Sequence, residues 1–182
     1  KLLQALNCLH NHRVVHRDVK PANFLHNFQS YIFRLIDFGS ATTEENATGK
    51  KGGGTKGFKA PETLMGSKSH TTAVDIWGAG IILFCLLTGK TSCLSGKSDA
   101  NDLDEIGMIV GKNEMQQLKI TACDEYGDGC QFQNKTGWPA KALQTVIAER
   151  TWKPDDMALD LLSKMLQVDH SKRINSSFSP ST

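Results

Sequence analysis

The residues most able to do chemistry lie near the start of the chain, in His16-Arg17-Asp18-Val19-Lys20-Pro21-Ala22-Asn23. A carboxylate such as Asp18 can accept the proton of an attacking hydroxyl and orient it. Lys20 is a compact charge able to reach a transferred phosphoryl group. Asn23 offers a neutral oxygen to magnesium, a hard cation that prefers oxygen ligands. Phosphoryl transfer asks a protein for this kind of positioning and charge stabilisation rather than for covalent help. Asp37-Phe38-Gly39 follows, with Asp37 placed 19 residues after Asp18. Asp37 suits a second magnesium-binding position, Phe38 would pack beneath the site, and Gly39 would let the chain turn. Neither a lone aspartate nor a lone D-F-G triplet says much. Their order and separation carry the signal.

These residues need elements to hold them. Leucines at 2, 3, 6 and 9 have helical spacing, so residues 1–12 are expected to form a helix leading into the loop. Residues 31–36 read as a short strand, able to pair with the stretch around Phe24 and Leu25 as a hairpin. Residues 39–60, rich in glycine, lysine, threonine and serine, read as a long loop. Residues 76–87 are the most apolar segment, too short for a membrane span of about 18 or more residues and better read as a buried helix. Residues 91–104 are expected to be loop, 103–119 a helix weakened by Gly107 and Gly111, and 121–138 an irregular insertion. Residues 139–150 and 155–167 read as helices, the latter opening at Pro154-Asp155-Asp156. The expected fold is mainly α, with one small hairpin beside the loop that carries Asp18. The tail 176–182 is expected to be disordered.

Bulk properties exclude several classes. The 182 residues suit about one domain, with 39% hydrophobic and 22% charged residues. A net charge of +2 is too near balance to argue for nucleic acid or an anionic membrane as partner, and neither is expected. The five cysteines are odd in number and none has C-x-x-C spacing, which argues against a disulfide framework or zinc site. Reduced thiols in an intracellular protein fit better. Gly89-Lys90-Thr91 and Gly96-Lys97-Ser98 fail as phosphate-binding P-loops, because the earlier glycine is replaced by Phe84 and Thr91. His10, His12, His16 and His26 lack a metal-ligand spacing on one helix face.

Further motifs complete a set. Ala60-Pro61-Glu62 ends a 26-residue segment that begins at Asp37; Asp75-Ile76-Trp77-Gly78-Ala79-Gly80 opens the apolar helix; Arg173 lies near the end. Together these resemble the eukaryotic serine/threonine protein kinases over residues 1–175. The resemblance implies ATP and Mg2+ as cofactors and a kinase C-terminal lobe. It implies that Leu25 floors the adenine pocket and that Thr55, with Lys56 and Phe58, belongs to the activation segment, Thr55 contacting Asp18 and Lys20. It also implies that Glu62 and Arg173 form a buried ion pair, that Asp75 holds the backbone near His16 and Arg17, and that Arg17 faces any phosphate on the activation segment.

The stretches 54–62, 23–25 and 72–77, with the run 104–111, are similar to the cell-division-cycle-7 kinases. That similarity implies replicative helicase subunits as substrates, an activating subunit as partner and a nuclear location. A compact activation segment and the glycine-rich stretch 127–137 depart from it. Lys50, Lys51, Lys56 and Lys59 would form a positive platform for acidic substrates, or else a solvated loop. No glycine-rich loop or strand lysine precedes Asp18, so the N-terminal lobe is expected to be absent, and these 182 residues alone to be inactive. The alternatives are a non-catalytic kinase-like module or a truncated remnant, although Asp18, Lys20, Asn23 and Asp37 are all intact.

Overall fold

A computed structural model describes residues 1–47, 53–67, 70–91, 94–118, 143 and 155–177. Helix α1 (Leu2–Asn11) buries Leu6 completely and leaves Gln4 and Asn11 exposed, as its leucine spacing requires. Arg13, at φ 54°, turns the chain into β1 (Val14–Val15). The loop bearing Asp18 follows and ends in a short 3-10 turn, Pro21–Asn23, with proline at its start. Strands β2 (Phe24–Asn27) and β3 (Ile32–Leu35) form the antiparallel hairpin, Phe24 opposite Leu35 and His26 opposite Phe33. Asn27 builds the turn by accepting the Gln29 and Ser30 amides through Oδ1, each at 3.0 Å.

The segment 39–60 is not one loop. It begins with a 3-10 turn (Phe38–Ser40), then β4 (Thr42–Thr43), which pairs antiparallel with β1, then a single helical turn α2 (Glu44–Ala47). Two threonines among polar residues give no alternation to read. Val14, opposite Thr43, and Val15, opposite Thr42, make them a strand from far back in the chain.

Helix α3 (Pro61–Leu64) leads to α4 (Ala73–Thr88), the centre of the molecule. Ile76, Trp77, Ile81 and Phe84 are each no more than 1% exposed. Apolar on nearly every side, α4 joins one core formed with α3 and α5 to a second formed with α1. Gly78 and Gly80 permit this. A Cβ on Gly78 would stand 2.7 Å from the Val19 carbonyl oxygen, and one on Gly80 would stand 2.8 Å from a Leu166 methyl. The helix ends at Gly89 in the left-handed conformation.

The expected 103–119 helix is two helices. Helix α5 (Asp99–Val110) starts four residues earlier, where the Ser98 side chain accepts the Asn101 amide. Gly111, at φ 100°, ends it, and α6 (112–118) follows. Helix α7 (Asp156–Met165) is capped by Asp155 and packs Leu162 and Met165 onto α4. The expected 139–150 helix and 121–138 insertion lie outside the described residues, apart from residue 143. Ser176, expected to belong to a disordered tail, is buried; 178–182 are also outside the described residues.

Candidate active site

Asp75 anchors the loop. Its carboxylate is wholly buried in the first turn of α4 and accepts the His16 and Arg17 amides at 2.8 Å each. Those two bonds hold Arg17 at φ 66°, a left-handed conformation uncommon for a non-glycine residue. Gly78 lets Val19 settle directly on α4, so the loop is fixed by both hydrogen bonds and packing.

Asp18 then sits at the centre of a closed network. Its Oδ1 accepts the Thr55 hydroxyl at 2.7 Å, and its Oδ2 accepts Lys20 Nζ at 2.8 Å and Asn23 Nδ2 at 3.1 Å. Lys20 Nζ also donates to Thr55 Oγ1 at 2.6 Å, and Asn23 Nδ2 to the Asp18 carbonyl at 2.9 Å. Burial pushes the Asp18 carboxyl up, but hydrogen bonds from Lys20 and Thr55, with the lysine charge and Asn23, outweigh it and hold Asp18 below the usual carboxylate range. An ionised, oriented carboxylate beside a lysine and an amide is suited to accept a hydroxyl proton.

Ile36 places Asp37 beside this loop. Its amide donates to the Asn23 carbonyl at 2.9 Å, and its carbonyl accepts His16 Nε2 at 3.0 Å. Asp37 follows at φ 62° with an exposed carboxylate whose Oδ1 accepts the Gly39 amide at 3.3 Å. Phe38 is 47% exposed and meets the His16 ring edge-on, at 5.1 Å between centroids. Leu25, on β2, is 50% exposed, an open apolar surface beside the loop.

The segment leading to Glu62 lies against the same loop. Cβ atoms on Gly53 and Gly54 would stand 2.5 Å from the Arg17 guanidinium and 3.0 Å from its carbonyl oxygen, and both glycines have positive φ. Phe58 packs on the main core, whereas Lys56 is exposed. Lys59 is paired with Asp99 at 3.2 Å, so it does not contribute a free charge to the four-lysine platform; Lys50 and Lys51 lie outside the described residues. Glu62 and Arg173 form a bidentate buried pair at 2.8 and 3.0 Å, with the guanidinium 5.1 Å from the Trp77 ring centre.

Three participants have no counterpart among the residues expected from the sequence. His10 bridges Asp75 Oδ2 (3.0 Å) and Ser176 Oγ (2.8 Å), and Asp102 is buried beneath the activation segment. His10 stands on the inner, leucine-bearing side of α1, which is the signal that could have found it. Neither Ser176 nor Asp102 has a local one.

The protein kinase domain model matches residues 1–178, and the chain belongs to the protein kinase family. Among curated proteins, it is 32% identical to a serine/threonine-protein kinase of Candida albicans, over 96% of this chain and 24% of that protein. It is 29% identical to the cell cycle serine/threonine-protein kinase hsk1 of Schizosaccharomyces pombe, over 96% and 44%. It is 34% identical to the mitogen-activated protein kinase PMK1 of Pyricularia oryzae, over 94% and 48%. It therefore spans less than half the length of these relatives. A crystal structure of the yeast RNA polymerase II CTD kinase CTDK-1 complex superposes with a TM-score of 0.82 at 26% identity, covering 97% of this chain and 57% of that one.

Proposed function

We propose that this chain carries the catalytic base, metal-binding residues and peptide platform of a serine/threonine protein kinase that transfers the ATP γ-phosphate. The observation that supports this most directly is the closed network of Asp18, Lys20, Asn23 and Thr55. Asp18, kept ionised by its donors, orients the substrate hydroxyl and takes its proton. Lys20 Nζ, already beside Asp18, balances charge on the transferred phosphoryl group. Thr55 ties the peptide platform to the base, so an arriving hydroxyl and the carboxylate keep one relative position.

Magnesium fits the residues present. Asn23 spends its amide nitrogen on Asp18, leaving its oxygen for a cation, and Asp37 presents an exposed carboxylate. When bound there, the ion would neutralise charge on the nucleotide phosphates. Leu25 offers the apolar face on which an adenine would rest.

In the finer reading, residues 1–175 are C-lobe and the chain belongs with the cell-division-cycle-7 group. The likeness to hsk1 supports a cell-cycle role; the comparable likeness to the Candida albicans kinase and to PMK1 does not separate that branch from others. A nuclear location, an activating subunit, acidic protein substrates and helicase subunits as targets all belong to this finer reading. Among the described residues, no helix is long and apolar enough to cross a membrane.

The test is transfer of labelled phosphate from magnesium-ATP by the full-length protein to serine, threonine and tyrosine peptides. Label on serine and threonine, lost in Asp18→Asn, is the expected result. Transfer that survives Asp18→Asn, or no transfer by the wild type with its partner subunits, would sink the proposal.

A further inference from the structure

Three carboxylates stand at every third position along α5: Asp99, Asp102 and Glu105. Residues three apart share a helix face, and all three face the activation segment or the loop 94–97 beneath it. Asp99 pairs with Lys59. Glu105 accepts the Ser95 amide. Asp102, between them, is fully buried; its Oδ2 accepts the Gly57 amide at 3.0 Å and its Oδ1 the Gly96 amide at 2.8 Å.

The two glycines show how tightly this joint is made. Gly57 has φ 86° and Gly96 φ 64°. A Cβ on Gly57 would stand 3.3 Å from the Leu94 carbonyl oxygen, and one on Gly96 would stand 3.2 Å from Lys56 Cβ. The two loops are pressed together, and their amides converge on one carboxylate. Without it, two amides in a closed joint lose their acceptor.

Thr55 is bound to Asp18 and Lys20, and Gly57 to Asp102. Lys56 lies between those two anchors and is exposed. We propose that Asp102 is a positioning residue for the peptide substrate, holding residues 56–58 in register with Asp18, with Asp99 and Glu105 bracing the same joint. This rests on the reading of 55–59 as the peptide platform of a kinase. The effect is confined to the peptide side, because none of these carboxylates contacts Asn23, Leu25 or Asp37 in the hydrogen bonds and ion pairs among the described residues.

Steady-state kinetics of the full-length protein with a serine peptide test it. Asp102→Ala should raise the peptide KM by about tenfold, the scale of a lost charge-assisted hydrogen bond. The ATP KM should stay within about twofold. Asp102→Asn, which keeps one acceptor, should fall between Asp102→Ala and the wild type. An unchanged peptide KM, or a rise in both constants together, overturns the proposal. If Asp102→Ala does not fold, the double variant Asp99→Asn with Glu105→Gln loosens the joint from the helix surface; it should raise the peptide KM alone, and a peptide KM left unchanged counts against the proposal. A wild type that phosphorylates no peptide defeats the kinase reading instead. Amide hydrogen exchange then reads the joint without activity: Asp102→Asn should speed exchange across 56–58, and unchanged exchange overturns the tie itself.

Discussion

Asp18 shows how much one residue owes to its neighbours. Its chain position says only that a carboxylate follows an arginine. Five hydrogen bonds among Asp18, Lys20, Asn23 and Thr55 give it an ionised state and a fixed direction. On the proposed function, Asp18→Asn should lower phosphoryl transfer by about 10²–10⁴-fold, the range for a general base. Since its folded-state pKa lies below the unfolded value of 3.8, ionised Asp18 contributes stability that is fully present above pH 3.8. That contribution disappears as pH falls through the folded-state value, and acid titration of wild type against Asp18→Asn measures it.

His70 titrates in a more accessible range. It is 3% exposed and its Nε2 has no hydrogen-bond partner among the described residues. Burial and the Arg17 charge hold the imidazole below the usual histidine value of 6.5, against smaller opposing pulls from a hydrogen bond with the Ser67 backbone and from the Glu62 charge. The unfolded chain therefore takes up a proton first. The neutral imidazole contributes fully above pH 6.5, and stability should decline as pH falls below it. Denaturant melts at about pH 7.5 and about pH 5.5, either side of that value, should show this difference shrinking in His70→Gln; an equal loss in both proteins would refute the assignment.

At the scale of elements, glycines decide which surfaces meet. Gly78 interrupts an otherwise apolar α4 at the place where Val19 must lie on it. Gly78→Ala places a methyl 2.7 Å from a backbone carbonyl that cannot rotate away. The expected result is a loss of about 1–3 kcal/mol in stability, with a larger fall in activity than in Tm, because the displaced loop carries Asp18. Gly111 acts differently. Its φ of 100° splits an expected single helix into α5 and α6 and leaves the carboxylate face of α5 against the activation segment.

Across the whole molecule, two buried charge centres join distant parts of the chain. Glu62 and Arg173 stand 111 positions apart and link α3 to the turn after α7. Arg173→Met should cost about 3–5 kcal/mol, because Glu62 is left buried and unpaired. Adding Glu62→Gln should restore part of that loss, and equilibrium unfolding of the single and double variants checks both statements. The other centre is Asp75, which gathers the loop that carries Asp18, α1 and, through His10, Ser176.

The sequence by itself determined which residue types stand at which spacing, a pattern that points to phosphoryl transfer. Asp18, Lys20, Asn23 and Asp37 could be singled out as candidates because phosphoryl transfer restricts both residue type and spacing. The apolar helix 76–87 and the hairpin were legible because runs of apolar residues and their lengths are local properties. The pairing of β1 with β4, the Ser176 contact and the burial of Asp102 were not. Each depends on a partner brought close only by folding, and no local pattern records an acceptor placed 45 or 166 positions away. The tertiary structure alone decided that Lys59 is paired with Asp99 while Lys56 is exposed, since that depends on where α5 sets its carboxylates.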